Sequence, residues 1–418
     1  MNRRELSVEI AGGGLAGLAG AIAFAQRGWK ARVWEQAPNL REIGAGLYVW
    51  ENGLRTLASL GVWEELRQAA QPIRAFDVRD ERMRKVESFQ YSHRPGNRLF
   101  TMVRPTLHTA LHRKAVDLGV EIVTGKKVID ASPAGELWFD DGAAVTADLV
   151  IGADGVHSRV RDSVALLRTK RMLRDGATRT LIPRTEEERN SPEDQKCVEY
   201  WSGTRRVLYT PCHRDWVYLA LVGRNEDEQA RKVPVDVDSW AESFPQLESL
   251  LRRIKPDTEA RWDSFSLVRL KSWHAGLVAI AGDAAHAQPP NLGQGACLAM
   301  SNMLALAVAA DRNRNDLERA LTEWEQRERP LVEHTQRWTY LWGLFSTTCP
   351  RGFERVRSPL VSWFGARKWI SASLGKTAAH IPTGTEHLSP DLTAREPSVT
   401  NHVQNKREQI GQSDEQFQ

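Results

Sequence analysis

The sequence predicts an α/β protein: a Rossmann-type nucleotide-binding domain, a β-sheet second domain and C-terminal helices. Three observations predict it. A glycine fingerprint lies between an apolar strand and a helix near the N-terminus. Two further apolar strands break into Asp154-Gly155 and Gly282-Asp283. Between them, from about Thr169 to Phe265, the chain turns β-rich with polar loops.

Leu6–Ala11 (LSVEIA) has the apolar run of a buried strand. Gly12-Gly-Gly14-Leu-Ala-Gly17 follows at once, then a run of small apolar residues to about Arg27 that predicts a helix. Lys30–Glu35 (KARVWE) predicts a second strand ending on an acid. This is the dinucleotide fingerprint with all its parts. Gly12 permits the tight turn, Gly14 lets a pyrophosphate approach the backbone, and Gly17 lets the helix sit close to its strand. The helix N-terminus offers N–H groups and positive dipole to phosphate. Glu35 suits a ribose, and Leu15, Ala16 and Gln36 complete the candidate set around these positions. A basic start followed by apolar residues also has the look of a secretory signal. Glycines at fingerprint spacing argue against that reading.

Asn52–Leu60 and Val62–Ala70 predict helices split by Gly61, and Ile73–Asp80, Val86–Tyr91 and Leu99–Val103 predict strands. Pro105–Leu118 predicts a helix with proline at its start. Short strands follow over Val120–Thr124, Lys127–Ala131, Glu136–Asp140 and Ala144–Val145, then a buried one over Asp148–Gly152. The β-rich region includes one helical stretch, Ser239–Ile254. Leu277–Ala281 predicts another buried strand. Ala296–Arg312, Asp316–Val332 and Thr335–Leu374 predict helices, the last interrupted near Cys349–Gly352. The expected organisation is a discontinuous nucleotide domain (1–72, 104–168 and 270–332) and a sheet domain (73–103 and 169–269). C-terminal helices (333–382) and a tail (383–418) that is disordered, or at most a draped arm, complete it.

At 418 residues the chain can bury an ample core. Its 57 basic and 53 acidic residues are mixed along its length, which argues against nucleic acid as partner. No apolar run is long enough to span a bilayer. Four cysteines without a CxxC pair favour a reducing cytoplasm and disfavour a disulfide-reducing enzyme. His108 and His112 stand four apart on one predicted helix with no third ligand in view, so no metal is expected.

With its three motifs in this order, Gly12–Gly17, Asp154-Gly155 and Gly282-Asp283 followed by Gly293-Gln294-Gly295, the chain resembles the single-component FAD-dependent aromatic hydroxylases. The resemblance spans about Leu6 to Val332. Gly44–Leu54, Arg206–Tyr218 and Ser272–Ala287 are most similar to the family's oxygenases of hydroxylated pyridine carboxylates, the 2-methyl-3-hydroxypyridine-5-carboxylate oxygenase type. The resemblance implies bound FAD, with NADH or NADPH as a transient co-substrate, since there is no second glycine fingerprint. It implies that Asp283 meets the ribityl chain and that the helix opening at Gly293–Ala296 points its N-terminus at the flavin. Arg41 and Arg104 would meet the FAD. Asp154 would be mainly structural, capping the next helix.

The resemblance also implies a substrate pocket between the flavin and the second sheet. Arg206 would hold a carboxylate or phenolate, and Tyr218 would orient a ring hydroxyl. Pro290 would shape the oxygen-reactive face, with Tyr48 and Trp50 at its border. Phe76 and Phe265 stand where the pyridine-carboxylate enzyme has tyrosines, which points to a more apolar ring. Ala287 departs from the family's proline, and His286 is expected to be structural. The implied reaction is hydroxylation of a small, anionic phenolic or N-heteroaromatic ring through a flavin C4a-hydroperoxide, with or without ring opening or loss of a substituent. The alternatives on this fold are a flavin-dependent halogenase, whose WxWxIP stretch is missing, and an isoprenoid-type flavin reductase. A monomer or homodimer is expected.

Overall fold

A computed structural model describes residues 4–40, 45–92, 94–350, 352–365 and 367–389. Its central element is a six-stranded sheet in the order 274–275, 278–280, 149–152, 7–11, 30–35, 121–124. All neighbours in it are parallel except the edge pair 274–275 with 278–280. These strands read as continuous apolar runs because both faces are covered, as parallel sheets require. Helices Leu15–Ala25, Arg104–Asp117 and Gly295–Arg312 pack over it, and one cluster of buried side chains joins sheet and helices.

The strand register sets up the site. Ala11 pairs with Gly152, and Gly152 with Ile280. Three strands therefore end level, and the three motif loops lie side by side at the carboxyl edge of the sheet, where α/β folds bind ligands.

The second sheet has seven strands in the order 261–270, 167–183, 216–224, 205–211, 196–202, 75–79, 85–90. Its longest strand is Leu167–Pro183, at the start of the expected β-rich region. Pairing with both 216–224 and 261–270 holds its polar first half extended. The expected helix over Ser239–Ile254 breaks into Val237–Ser243, a 3-10 turn and Glu248–Leu251. Pro245 cannot donate within a continuous helix, which accounts for the break. In contrast, Pro330 sits inside an unbroken helix, Leu317–Ser346, where two separate helices were expected.

The helices Glu354–Gly365 and Lys368–Gly375 follow. Of the two expectations for the tail, its start follows the draped arm and not disorder. Thr383 and Thr385 are buried, Thr383 Oγ1 donates to Glu328 Oε1 at 2.8 Å, and Arg55 Nη2 donates to the Thr385 carbonyl at 2.9 Å. Residues 390–418 lie outside the described residues.

Candidate active site

The glycine loop can be built only from glycine at two places. Gly12 has φ +106°, and a Cβ there would lie 2.4 Å from the Ala153 carbonyl oxygen. A Cβ on Gly17 would come within 1.9 Å of the Gly12 carbonyl oxygen. No side chain caps the helix Leu15–Ala25, and no acid sits in its first turn. Leu15 and Gly17 are buried, whereas Gly14 and Ala16 keep partial exposure. The backbone thus presents helix N–H groups at an uncapped, accessible edge, as a diphosphate requires.

Glu35 lies against this loop. Its Oε2 accepts from Gly13 N at 2.9 Å and its Oε1 from Ala37 N at 2.8 Å. Each carboxylate oxygen keeps a further lone pair for a ribose hydroxyl. Gln36 beside it is exposed. His108 Nε2 hydrogen-bonds the Gly13 carbonyl at 2.9 Å, so this histidine braces the loop. Among the described residues no group of three or more His, Cys, Asp or Glu side chains could hold a metal.

The second motif is tied to the third. Asp154 Oδ2 accepts from Arg159 N at 2.7 Å and Val160 N at 3.3 Å, capping the helix Arg159–Ser163. Burial raises the Asp154 pKa against these bonds. Its Oδ1 is buried without a protein partner. Arg161, fully buried, donates to the carbonyls of Val156 and Ala284, each at 3.1 Å. That guanidinium fastens the loop after Asp154 to the turn after Asp283. Sequence reasoning gave Arg161 no role, and its burial on an Arg-rich helix left no signal. Asp283 is exposed at the strand end. Arg104 is half-buried, with its backbone N–H on the Ala45 carbonyl at 3.0 Å. Arg41 lies outside the described residues.

The loop Pro290–Leu292 leads through Gly293 into the helix Gly295–Arg312. This helix also lacks a side-chain cap and a first-turn acid, and a Cβ on Gly295 would meet nothing within 4 Å. Gln294 is buried and accepts from Asn52 Nδ2 at 3.2 Å, Ala296 is half-buried, and Trp50 Nε1 donates to the Gly293 carbonyl at 3.1 Å. The two open helix starts, the glycine loop and the orphan Asp154 oxygen fit a dinucleotide bearing a ring with a polar edge.

Next to Pro290 is a cavity of about 570 Å³. Trp50, Phe76, Phe89, Tyr91, Leu208 and Trp342 supply its aromatic and apolar wall. Tyr48 also lines it, with its hydroxyl held by Thr210 Oγ1 at 2.5 Å and a pKa raised by burial. The opposite wall is the C-terminal segment from Ser371 to Ala379. Arg98 reaches the cavity, but it is bound to Glu51 by contacts of 2.6 and 2.9 Å. Sequence reasoning missed this pair. Its signal was present in the antiparallel pairing of Trp50 with Leu99, which sets Glu51 and Arg98 side by side at the strand ends.

Pro290, Phe76 and Tyr48 of the expected substrate residues line this cavity; Arg206, Tyr218 and Phe265 do not. Arg206 is buried, with Nη1 on Glu199 Oε1 at 2.9 Å and Nη2 on Asn291 Oδ1 at 2.8 Å. The carboxylate expected from a substrate is supplied by the protein itself. Tyr218 packs its side chain against Gly46, and burial raises its pKa while Arg179 and Arg104 oppose. Arg179, which sequence reasoning also missed, bonds Asp263 at 3.2 Å and lies 5.9 Å over the Phe265 ring. His286 is buried, hydrogen-bonded to Asn302 at 3.2 Å and tilted against Trp273, with its pKa lowered by burial to about 4. Ala287 is buried, and its carbonyl accepts from Val268 N and Gln336 Nε2.

Three strand-end loops with a dinucleotide cradle beside an aromatic cavity define a flavin-dependent ring hydroxylase fold. The chain belongs to the FAD binding domain family (FAD_binding_3), matched over residues 5–337. It is an FAD-dependent monooxygenase of the aromatic hydroxylase type. It is 38% identical over 374 residues to a Rhodococcus erythropolis protein named "Probable 2-heptyl-3-hydroxy-4(1H)-quinolone synthase AqdB2", covering 90% of this chain and 96% of that one. It is 37% identical over 365 residues to the 2-heptyl-3-hydroxy-4(1H)-quinolone synthase of Mycobacteroides abscessus, covering 87% and 96%. Among solved structures, a mutant of 2-methyl-3-hydroxypyridine-5-carboxylic acid oxygenase superposes with a TM-score of 0.79 at 34% identity, covering 91% of this chain and 98% of that one.

Proposed function

We propose that this monooxygenase hydroxylates a neutral N-heteroaromatic ring carrying an electron-donating oxygen and an apolar substituent, of the 2-alkyl-4-quinolone class. The observation that carries the reading is the 570 Å³ cavity beside Pro290, a usual size for a small-molecule site. Its wall is aromatic and aliphatic, and the guanidinium of Arg98 is already paired with Glu51. Arg206 is likewise paired with Glu199. An anionic ring would therefore have to compete with buried carboxylates. Among the described residues, Lys376, exposed at the cavity edge, is the remaining cation of the lining. The names of the quinolone synthases support the same class of ring.

The balanced reaction joins substrate, O2, NAD(P)H and a proton to give hydroxylated substrate, NAD(P)+ and water. FAD, when bound, supplies hydride uptake and transfer of one oxygen atom. The residues supply position. The glycine loop and Glu35 would hold the nucleotide end of FAD, and Asp283 and Arg104 would meet the rest of it. Phe76, Trp50 and Leu208 orient an apolar ring beside Pro290. The segment from Ser371 to Ala379 excludes water, which suppresses wasteful release of peroxide.

The test is aerobic NADH and NADPH oxidation by the yellow protein with 2-alkyl-4-quinolones, pyridine carboxylates and hydroxybenzoates. The expected result is strong stimulation by an alkylquinolone, with a product heavier by one oxygen. Preference for a pyridine carboxylate with stoichiometric product would overturn the reading.

A further inference from the structure

We propose that the outer face of the C-terminal helices is a docking surface for an anionic lipid bilayer. Trp363 and Trp369 are 54% and 66% exposed, unusual for so large an apolar side chain. Leu341, Leu344 and Val356 are exposed as well. They lie on the helices Leu317–Ser346, Glu354–Gly365 and Lys368–Gly375, and contacts join those helices. Trp363 meets Phe364 at 5.1 Å, Phe364 meets Phe345 at 6.5 Å, and Trp338 donates to Ser373 at 2.9 Å.

The charge on this segment is one-sided. From Arg355 to Lys376 the sequence has five basic residues and no acid, but Arg357 is fully buried and Lys376 lines the cavity, so among the described residues this face offers Arg367 and Lys368. Arg367 and Lys368 are exposed, and Arg367 stacks over Trp363 at 4.2 Å. On the long helix no acid follows Glu333, which is paired with Arg329 at 2.8 Å. Glu87 meets Gly365 where both line the cavity. Exposed tryptophans among cations suit the headgroup layer of an anionic leaflet. A second copy fits less well, because a two-fold contact would set these cations against themselves. Among the described residues no helix is long and apolar enough to cross a membrane, so the attachment is peripheral.

The surface also has a functional position. Gly365, Ser371, Ala372 and Leu374 on the same helices line the cavity. The helices that carry Trp363 and Trp369 therefore also carry part of the cavity wall. The proposal rests on the outer face alone and stands whatever ring the cavity takes.

The test is flotation of the full FAD-loaded chain with vesicles of phosphatidylcholine, alone or mixed equally with phosphatidylglycerol. The expected result is recovery with the anionic vesicles only, lost at high salt. Arg367→Glu with Lys368→Glu should reduce recovery about tenfold or more, and Trp363→Ser with Trp369→Ser should do likewise. Flavin absorbance should be unchanged in both. No recovery, or equal recovery with both vesicle types, overturns the proposal. So does an oligomer in light scattering that the tryptophan variant splits, which would make this face a protein interface.

Discussion

Arg206 and Asn291 are joined by a hydrogen bond of 2.8 Å, the guanidinium donating to the amide oxygen. Asn291 in turn donates through Nδ2 to the Thr339 carbonyl at 2.8 Å. One arginine thus links the second sheet, the Pro290 loop and the long C-terminal helix. Glu199, which also accepts from Trp201 Nε1 at 2.6 Å, fixes its other arm.

Arg206→Ala should therefore act first on stability. It leaves the Glu199 carboxylate buried and unpaired, a loss of about 3–5 kcal/mol. Urea unfolding of the FAD-loaded protein measures it, and adding Glu199→Gln should recover part of the loss. An unchanged midpoint with a raised substrate KM would instead assign the guanidinium to the substrate.

Gly17→Ala should release the flavin. The new methyl meets the backbone carbonyl of Gly12, which cannot swing away as a flexible side chain can. Overpacking of this kind costs about 1–3 kcal/mol. Falling on the phosphate loop, it should weaken FAD about tenfold or more. Asp283→Ala should weaken FAD too, without that steric cause. Flavin absorbance after dialysis reports both.

Phe76→Ala should raise KM about tenfold for an apolar ring, by removing contact area from the cavity wall. It should also divert more of the NAD(P)H oxidised into peroxide. Comparing peroxide formed with NAD(P)H consumed checks the second effect. A variant with wild-type KM and coupling would move the substrate elsewhere.

His286 should make the fold acid-sensitive. Its folded pKa, about 4, lies below the ordinary value of 6.5, with burial the leading cause. The unfolded chain therefore binds a proton that the folded chain refuses. Stability from this group is complete above pH 6.5 and falls as pH drops toward 4, by about 3 kcal/mol in all. His286→Gln should flatten that part of the stability profile in thermal melts between about pH 7 and pH 4.5. Parallel profiles for variant and wild type would remove His286 as the cause.

The cofactor half of the site was legible because its signals are local. Gly12 and Gly17 are demanded by backbone contacts within one strand–turn–helix unit, and Asp154 caps the helix that follows it. The level ends of Ala11, Gly152 and Ile280 follow from three apolar strands of one parallel sheet. The Glu199–Arg206 pair depends instead on a strand register that the folded sheet supplies. Trp201 pairs with Arg206 across a hairpin, which puts Glu199 on the same face.

By itself the sequence determined the Rossmann-type fold, FAD as the cofactor and the hydroxylase family, since each depends on residues near one another in the chain. Only tertiary structure decided which charges remain for a substrate. Arg206 reads as an open cation until packing sets Glu199 against it, and Arg98, which carried no expectation, is closed by Glu51 in the same way. The far wall of the cavity was decided the same way. Ser371 to Ala379 carry no motif, and they matter because long-range bonds such as Thr335 to Thr377 and Trp338 to Ser373 hold them over Pro290. Periodicity and spacing report neighbours along the chain, whereas burial and charge pairing are settled between segments far apart in it.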